Sequence, residues 1–390
     1  MNSTKALYGK PIVWALAAIA AVGVGCWVYQ LVGGLAVTGM SNVTSWGLYI
    51  TNFMFFVGLS AGGLIVASSA HVFGVEKFKG IALPAVICST VCIVCAASFV
   101  LIDLGGIQRV WRIVTGANFA SPLVWDMCVI TIYLVINILD IVFIVKKKER
   151  AVRRLSFVAL PVAILVHSVT AWIFGLEIAR EGWYSAIMAP IFVASACDSG
   201  LALLILSLVG LRKVKLFELS ANTVASFSRL LATFIAVDAY LIGCELLTMA
   251  YPGGQEAATV LATMTTGATA PFFWFEIIGG LLVPFLVLVA SRKPIGTASL
   301  VFSCVLVVMG VFCKRVWLLF SSFITPNIYA APGVTAGTFE AQQNPIGMWM
   351  ATGTYAPTAI ELLVTLGVIA LGVLIWMILS RKLLGKASNR

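Results

Sequence analysis

A histidine, an arginine and three carboxylates fall within thirty-four residues of largely apolar chain. The run His167–Gly200 reads HSVTAWIFGLEIAREGWYSAIMAPIFVASACDSG and holds His167, Glu177, Arg180, Glu181 and Asp198. An imidazole ordinarily titrates near pH 6.5, so it can take and release protons under physiological conditions. The stretch reads as the end of one apolar helix, a short charged turn and the start of another. Ionisable groups beside or within membrane spans are costly and are by default functional. The chemistry is therefore expected here, and the elements around it must position it.

Those elements are membrane spans. The 390-residue chain is 61% hydrophobic and 10% charged, against about 25% charged in a soluble domain. Its mean hydropathy is +1.06. No long polar stretch is left for a soluble domain, so residues 1–390 are read as one integral membrane domain. A span needs about 20 apolar residues. Ten candidates run roughly over 11–37, 47–73, 81–103, 122–145, 155–176, 184–210, 229–250, 271–290, 295–323 and 357–380. The first is too long, and lacks the small-residue cleavage site, for a cleavable signal peptide. The expected fold is all-α: a polytopic bundle of about ten transmembrane helices, arranged as two four-helix bundles plus peripheral helices. A faint echo between GLSAGGL (58–64) and ACDSGLAL (196–203) suggests repeat halves over 47–176 and 184–323.

The formal charge of +10 follows from topology rather than from nucleic-acid binding. Lys5 and Lys10 precede the first span, and Lys77 and Lys79 follow the second. KKKERAVRR, RKVK and Ser-Arg-Lys fill the fourth, sixth and eighth connections, and the tail carries Arg381, Lys382, Lys386 and Arg390. The odd-numbered connections supply only Arg109, Arg112 and Arg180. By the positive-inside rule both termini are expected in the cytoplasm, with the odd connections on the outer side.

Nine cysteines (26, 88, 92, 95, 128, 197, 244, 304 and 313) all fall in apolar segments. They are read as small apolar side chains, leaving metal clusters to partners. The two histidines, His71 and His167, lie toward opposite membrane faces, which argues against a shared haem. His71 reads as a boundary residue. No P-loop, dinucleotide fingerprint or HExxH motif is present.

Quinone chemistry fits what remains. It needs an apolar pocket for ring and tail, and a hydrogen-bonding or proton-accepting group near each ring oxygen. Asp103, Arg109 and His167, with Trp46, Trp111 and Trp183 nearby, would build such a pocket toward the outer side. Alternatively His167 makes only a helix–helix hydrogen bond, and Arg180 and Trp183 are interfacial anchors. Asp198, Glu245 and Glu276 form either a proton relay or three separate interhelical hydrogen bonds. GLSAGG (58–63), Ser199-Gly200 and Gly279-Gly280 are positions where helices can approach closely.

The ordered motifs resemble the NrfD-like membrane subunits, the family of the polysulfide reductase membrane anchor. They are W-G-x-Y-I-x-N-F-x-F-F-x-G-L-S-A-G-G (46–63), Asp103-Leu-Gly to Arg109-x-Trp111, Ser121-Pro122 and His167-x-x-x-Ala-Trp-x-Phe. The Trp183 turn with Pro190-x-Phe192, then Ser199-Gly200, continue the series. Phe273-Trp274-x-Glu276 with Gly279 and Pro284, Arg315, and Tyr355-x-Pro357-Thr358-x-x-Glu361 are similar to the long, ten-span branch. That branch includes hydrogenase, sulfite-reduction-associated and alternative complex III membrane subunits. The resemblance implies a haem-free subunit in a bacterial or archaeal cytoplasmic membrane. It would exchange electrons between menaquinol or ubiquinol and a ferredoxin-like iron–sulfur subunit. That partner usually serves a catalytic subunit, often a molybdopterin enzyme.

By position, Asp103 and His167 would then be quinone-side residues, with Arg109, Arg180 and Trp183 about them. In the polysulfide reductase membrane anchor polar contacts come from the first family helix, which here offers Asn52 and no histidine. Asp198, Glu245, Glu276 and Arg315 would be the candidates for proton transfer. The competing readings are a secondary transporter or ion-translocating protein, with polar groups focused at the midplane, and a purely structural anchor.

Overall fold

The computed structural model describes residues 9–41, 44–290, 295–324 and 355–388. Lys5, the basic pair at 292–293, Arg390 and most of the lysine- and arginine-free stretch 324–356 lie outside the described residues. Among the described residues there is no strand, and ten helices of 21 to 30 residues are long and apolar enough to cross a bilayer. They are α1 (Lys10–Gly33), α2 (Leu48–Val72), α3 (Ala82–Asp103), α4 (Pro122–Val145), α5 (Glu149–Gly175) and α6 (Met188–Lys213). The rest are α7 (Ala221–Ala250), α8 (Ala270–Ala290), α9 (Thr297–Ile324) and α10 (Ala359–Ser388). At 1.5 Å per residue each covers the roughly 30 Å of bilayer hydrocarbon. The end bearing the odd-numbered connections is called the distal end below.

Each expected span holds a helix, but α5, α6 and α7 shift toward basic flanks. α5 starts at Glu149 rather than 155, α6 runs on to Lys213, and α7 starts at Ala221. Lysine and arginine stems can lie along apolar surface while their charged heads reach water, so a helix need not stop where its apolar run stops. The long connection after α7 adds a short helix, Gln255–Thr265, that buries Ala257, Val260 and Met264.

α2 and α6 form the centre, and most of each is buried. α2 packs against α3, α5 and α6, while α6 packs against α5, α7 and α9. α4 leans on α5 and α3, and α8 on α9; α1 pairs with α10, which also lies on α3. The result is one group of helices from α2 to α5, a second from α6 to α9, and a peripheral α1/α10 pair.

In hydrocarbon there is little hydrophobic force between helices, so close backbone approach and van der Waals contact must hold them. Three glycine pairs make that contact. A Cβ added to Gly200 would stand 2.6 Å from the Gly62 Cα, closing the α2/α6 seam; Gly280 meets Gly310 between α8 and α9, and Gly23 meets Gly367 between α1 and α10.

Two local features matter for the site. α8 widens into a π-helix over Phe275–Leu282, and its buried face presents Glu276, Gly280 and Leu281. Such wide turns recur at functional sites because they re-aim side chains. α10 opens with a capping box: the Glu361 carboxylate accepts from the Thr358 N–H at 2.9 Å, and the Glu361 N–H donates back to the Thr358 hydroxyl at 3.4 Å. The same carboxylate accepts from the Gly39 N–H at 2.8 Å and the Tyr355 hydroxyl at 2.6 Å. It thereby ties the α1–α2 connection to the start of α10.

The glycine seam gives a matched test on one helix. Gly200→Ala should lower the thermal unfolding midpoint in detergent, as overpacking costs about 1–3 kcal/mol. Gly210→Ala, where an added Cβ meets nothing within 4 Å, should leave the midpoint unchanged or raise it slightly. Equal midpoints for the two variants would refute the seam.

Candidate functional site

Two consecutive cations on α9 organise the interior. Lys314 and Arg315 are both fully buried. Consecutive residues on a helix point about 100° apart, so the pair serves two neighbours at once. The Lys314 ammonium pairs with Asp238 of α7 at 2.5 Å and with Glu276 of α8 at 3.0 Å. The other Glu276 oxygen accepts from the Trp317 indole N–H at 2.5 Å. Asp198 of α6, also fully buried, stands against Asp238, and among the described residues neither of its carboxyl oxygens has a hydrogen-bond partner of ordinary geometry. Three carboxylates and two cations thus share one buried layer.

Arg315 faces the other way. Its Nη2 donates to the Ser195 hydroxyl of α6 at 2.7 Å, and its guanidinium carbon lies 3.9 Å from the centre of the Phe192 ring. Its Nε and Nη1 have no acceptor among the described residues. His167 of α5 shares this compartment. The ring is fully buried, neither nitrogen has a hydrogen-bond partner of ordinary geometry, and Phe192 stands edge-on to it at 6.3 Å. Gly58 of α2 forms the floor between them: a Cβ there would come 3.5 Å from His167 Nε2 and 3.9 Å from Arg315 Nη2. At 1.5 Å per residue, His167, Asp198 and Arg315 lie about 10–15 Å below the distal ends of their helices.

An aromatic column leads from this layer to the distal surface. Phe192 neighbours Phe174, which meets Trp183 edge-on at 5.2 Å; Trp183 stacks on Trp46 at 6.2 Å and meets Phe323 at 5.0 Å. The Trp183 indole N–H donates to the Leu318 carbonyl at 2.8 Å, which locks the α5–α6 turn onto α9. Arg180 closes the top. It lies over Phe323 at 4.9 Å and donates to the Ser322 carbonyl at 3.2 Å. Partial burial brings its guanidinium below the usual arginine range.

The remaining predicted residues are distributed differently. Asp103, at the end of α3, faces Tyr49 and Glu361 rather than His167, and its Oδ1 has no partner. Tyr49 donates to Gln30 at 2.7 Å, so this is a second polar nest, between α1, α2, α3 and α10. Tyr355 belongs to it as well, and burial beside the Glu361 carboxylate raises its phenol above the usual range. Asn52 donates to its own helix at Leu48 and, at 3.5 Å, to Thr365 of α10. Arg109 is exposed in the α3–α4 connection, where Trp111 is likewise mostly exposed. Glu245 accepts from Ser185 at 2.6 Å beside a cleft of about 340 Å³ under the α5–α6 turn, nearer the distal end than Asp238. His71 is half-buried at the far end of α2, its Nδ1 3.2 Å from the Ala67 carbonyl.

His167 and Arg315 therefore meet in one compartment, Asp198 and Glu276 in the layer beside it, and Arg180 and Trp183 above. Asp238, Lys314, Ser195 and Phe192 complete the constellation. A dibasic pair inside an otherwise apolar run was the visible signal for Lys314; Phe192 was visible only within the Pro190-x-Phe192 motif, and Ser195 carries no mark. Among the described residues no group of three His, Cys, Asp or Glu side chains is placed to hold a metal ion, and all nine cysteines are free thiols.

Comparison with known proteins agrees with this architecture. The chain is 35% identical to a candidate dimethyl sulfoxide reductase membrane subunit of Halobacterium salinarum, over 95% of this chain and 90% of that one. It is 27% identical to the Hdr-like menaquinol oxidoreductase integral membrane subunit of Archaeoglobus fulgidus, over 94% and 91%. It is 23% identical to a polysulfide reductase polypeptide of Wolinella succinogenes, over 72% and 95%. The family described as polysulphide reductase, NrfD, matches residues 36–327. That is three quarters of the chain and every helix of the site, and the protein belongs to the NrfD family of membrane subunits.

Proposed function

We propose that this chain is the quinol-interacting membrane subunit of a respiratory oxidoreductase complex. It exchanges electrons between menaquinol or ubiquinol and a ferredoxin-like iron–sulfur subunit, which in turn serves a soluble catalytic subunit. The observation that carries the reading is the His167–Arg315 compartment, where four nitrogen atoms in a fully buried site have no hydrogen-bond partner of ordinary geometry among the described residues. Buried polar groups are ordinarily paired, and orphans ask for an explanation. A quinol hydroxyl supplies one, since it can both accept from Arg315 and give a proton to His167, while a quinone carbonyl can accept from Arg315. The names of the relatives, menaquinol oxidoreductase and reductase membrane subunits, favour the same chemistry.

Oxidation of a quinol releases two electrons and two protons. The electrons leave toward the iron–sulfur partner. His167 is placed to take a proton as its hydroxyl O–H breaks, and Arg315 to hold the oxygen that becomes a carbonyl. The layer beside them has room for a proton. Asp198, Asp238 and Glu276 outnumber Lys314 and Arg315 by one charge, and an uncompensated charge in such a place is expensive. A proton on Asp198, the destination of the second quinol proton, neutralises the layer. The aromatic column from Trp183 to Phe192 sets flat apolar faces on the distal side of the compartment, against which the ring would lie. In this reading the membrane is a bacterial or archaeal cytoplasmic membrane, both termini are cytoplasmic, and the distal end faces outward.

In the purified complex, His167→Gln should lower quinol oxidation at least ~100-fold, the scale of lost general acid–base catalysis. Electron delivery from a reduced dye to the catalytic subunit should continue. An unchanged quinol rate in a folded variant would overturn the assignment. Asp198→Asn removes the excess negative charge, so the variant should keep its unfolding midpoint yet oxidise quinol more slowly; a collapse of the midpoint would mean that the carboxylate is ionised and structural. For orientation, alkaline phosphatase fused after residue 390 should be inactive, and the same enzyme inserted at Gly253–Gly254 active. The reverse pattern would invert the topology.

A further inference from the structure

The α4–α5 turn lies on the opposite face from the quinol compartment, and nothing in the proposed electron transfer uses it. It folds around a concavity of about 840 Å³ whose rim carries Lys147, Lys148, Arg150 and Arg154 against a single acid, Glu149. All five side chains are exposed. None of the four cations belongs to an ion pair among the described residues. Lys147 holds a left-handed backbone, φ 54°, which turns the chain sharply and brings the cations of the turn and of α5's first turns around one hollow. The wall below is apolar, formed by Phe143, Leu155 and Val158. It continues along the lipid-facing surface of α4 and α5, where Val135, Leu139, Phe157 and Ile164 are 39–53% exposed.

We propose that this hollow is a specific site for an anionic phospholipid. The phosphate would sit among Lys148, Arg150 and Arg154, and the acyl chains would run down the α4/α5 groove. Charge complementarity selects the occupant: cations above and hydrocarbon-compatible side chains below match a charged head on two apolar tails. A soluble anion would use only the upper half of the site. Basic pockets at the ends of transmembrane helices recognise such head groups, and each nearby cation contributes about 1 kcal/mol, or roughly five-fold in affinity. α4 packs chiefly against α3 and α5, so a lipid wedged along it would also brace the least buried helix of the first group.

The test is lipid binding to the purified chain, titrated by native mass spectrometry with phosphatidylglycerol and, separately, phosphatidylcholine of the same acyl chains. The pocket variant is Lys148→Gln/Arg150→Gln/Arg154→Gln. Lys147 is left in place because its backbone shapes the turn. The control, Arg212→Gln/Lys213→Gln/Arg229→Gln, removes the same number of exposed cations at the end of α6 and in α7, outside the hollow. The pocket variant should lose its preference for phosphatidylglycerol by about a hundred-fold, and the control should keep it. Equal losses in both variants would replace a site with diffuse surface charge, and so overturn the proposal. Full displacement of the lipid by inorganic phosphate would overturn it too, since an anion without tails would then suffice. Phosphatidylcholine binding and the unfolding midpoint, unchanged in both variants, show that each is folded.

Discussion

A lysine and an arginine side by side, deep among ten apolar helices, impose the condition that the rest of this structure meets. Neither cation can reach water, and an unpaired charge there would be intolerable. Each must therefore be answered by another helix. Because consecutive residues diverge by about 100°, one turn of α9 recruits α7 and α8 through Lys314, and α6, with α2 and α5 beside it, through Arg315. Asp238 and Glu276 answer the lysine; Ser195 and the face of Phe192 answer the arginine. Even the wide turn of α8 is part of this answer, since it places Glu276 on the buried face next to Lys314.

The unequal quality of the two answers is informative. Lys314 is held by two carboxylates, as a structural cation should be. Arg315 is held by one hydroxyl and one ring, and keeps two nitrogens without acceptors. A protein needing only to bury a guanidinium could have placed a carboxylate beside it. Leaving the donors free next to an unpartnered histidine costs stability, and such a cost persists where a substrate offsets it on arrival. The glycine seam supports the same compartment sterically. Gly58 leaves the space that His167 and Arg315 share, while Gly62, one turn along α2, lets α6 come near enough to deliver Phe192 and Ser195.

Much of this was legible in the chain, for reasons that also explain what was not. Apolar runs of membrane length announce helices, because in lipid the backbone must satisfy its own hydrogen bonds. Ionisable residues inside those runs announce a site, and His167, Asp198, Glu276 and Arg315 do converge. Depth and azimuth were harder to read. Asp238 and Glu245 lie on nearly the same face of α7, but two turns apart; the first meets Lys314 and the second meets Ser185 under the distal turn. Asp103 and Arg109 are close in sequence, yet the chain turns between them, so that Asp103 faces partners from α2 and α10. The Thr358-x-x-Glu361 spacing, read in the sequence only as part of a family motif, is that of a capping box. What no local pattern could show is that its carboxylate also holds Gly39, some three hundred residues earlier.

The asymmetry of the membrane-buried charge bears on the choice between electron transfer and transport. Alternating access needs a polar site that opens to either side, and commonly helices broken at the midplane. Here the space between His167 and Arg315 has an aromatic column above it, toward the distal end. Below it the α2/α6 seam is closed by glycine contacts and apolar packing. Asp140 and His71 lie toward the other end, on α4 and α2, and neither makes a hydrogen bond with the central layer. A compartment bordered by aromatic rings toward one end and by a glycine seam toward the other is suited to a flat apolar substrate that surrenders electrons sideways to a docked partner and sheds its protons nearby. The wide turn of α8 presents Glu276 to Lys314 rather than to an open passage. The charge layer is thus better understood as a fixed electrostatic support for chemistry at its edge than as the gate of a moving transporter.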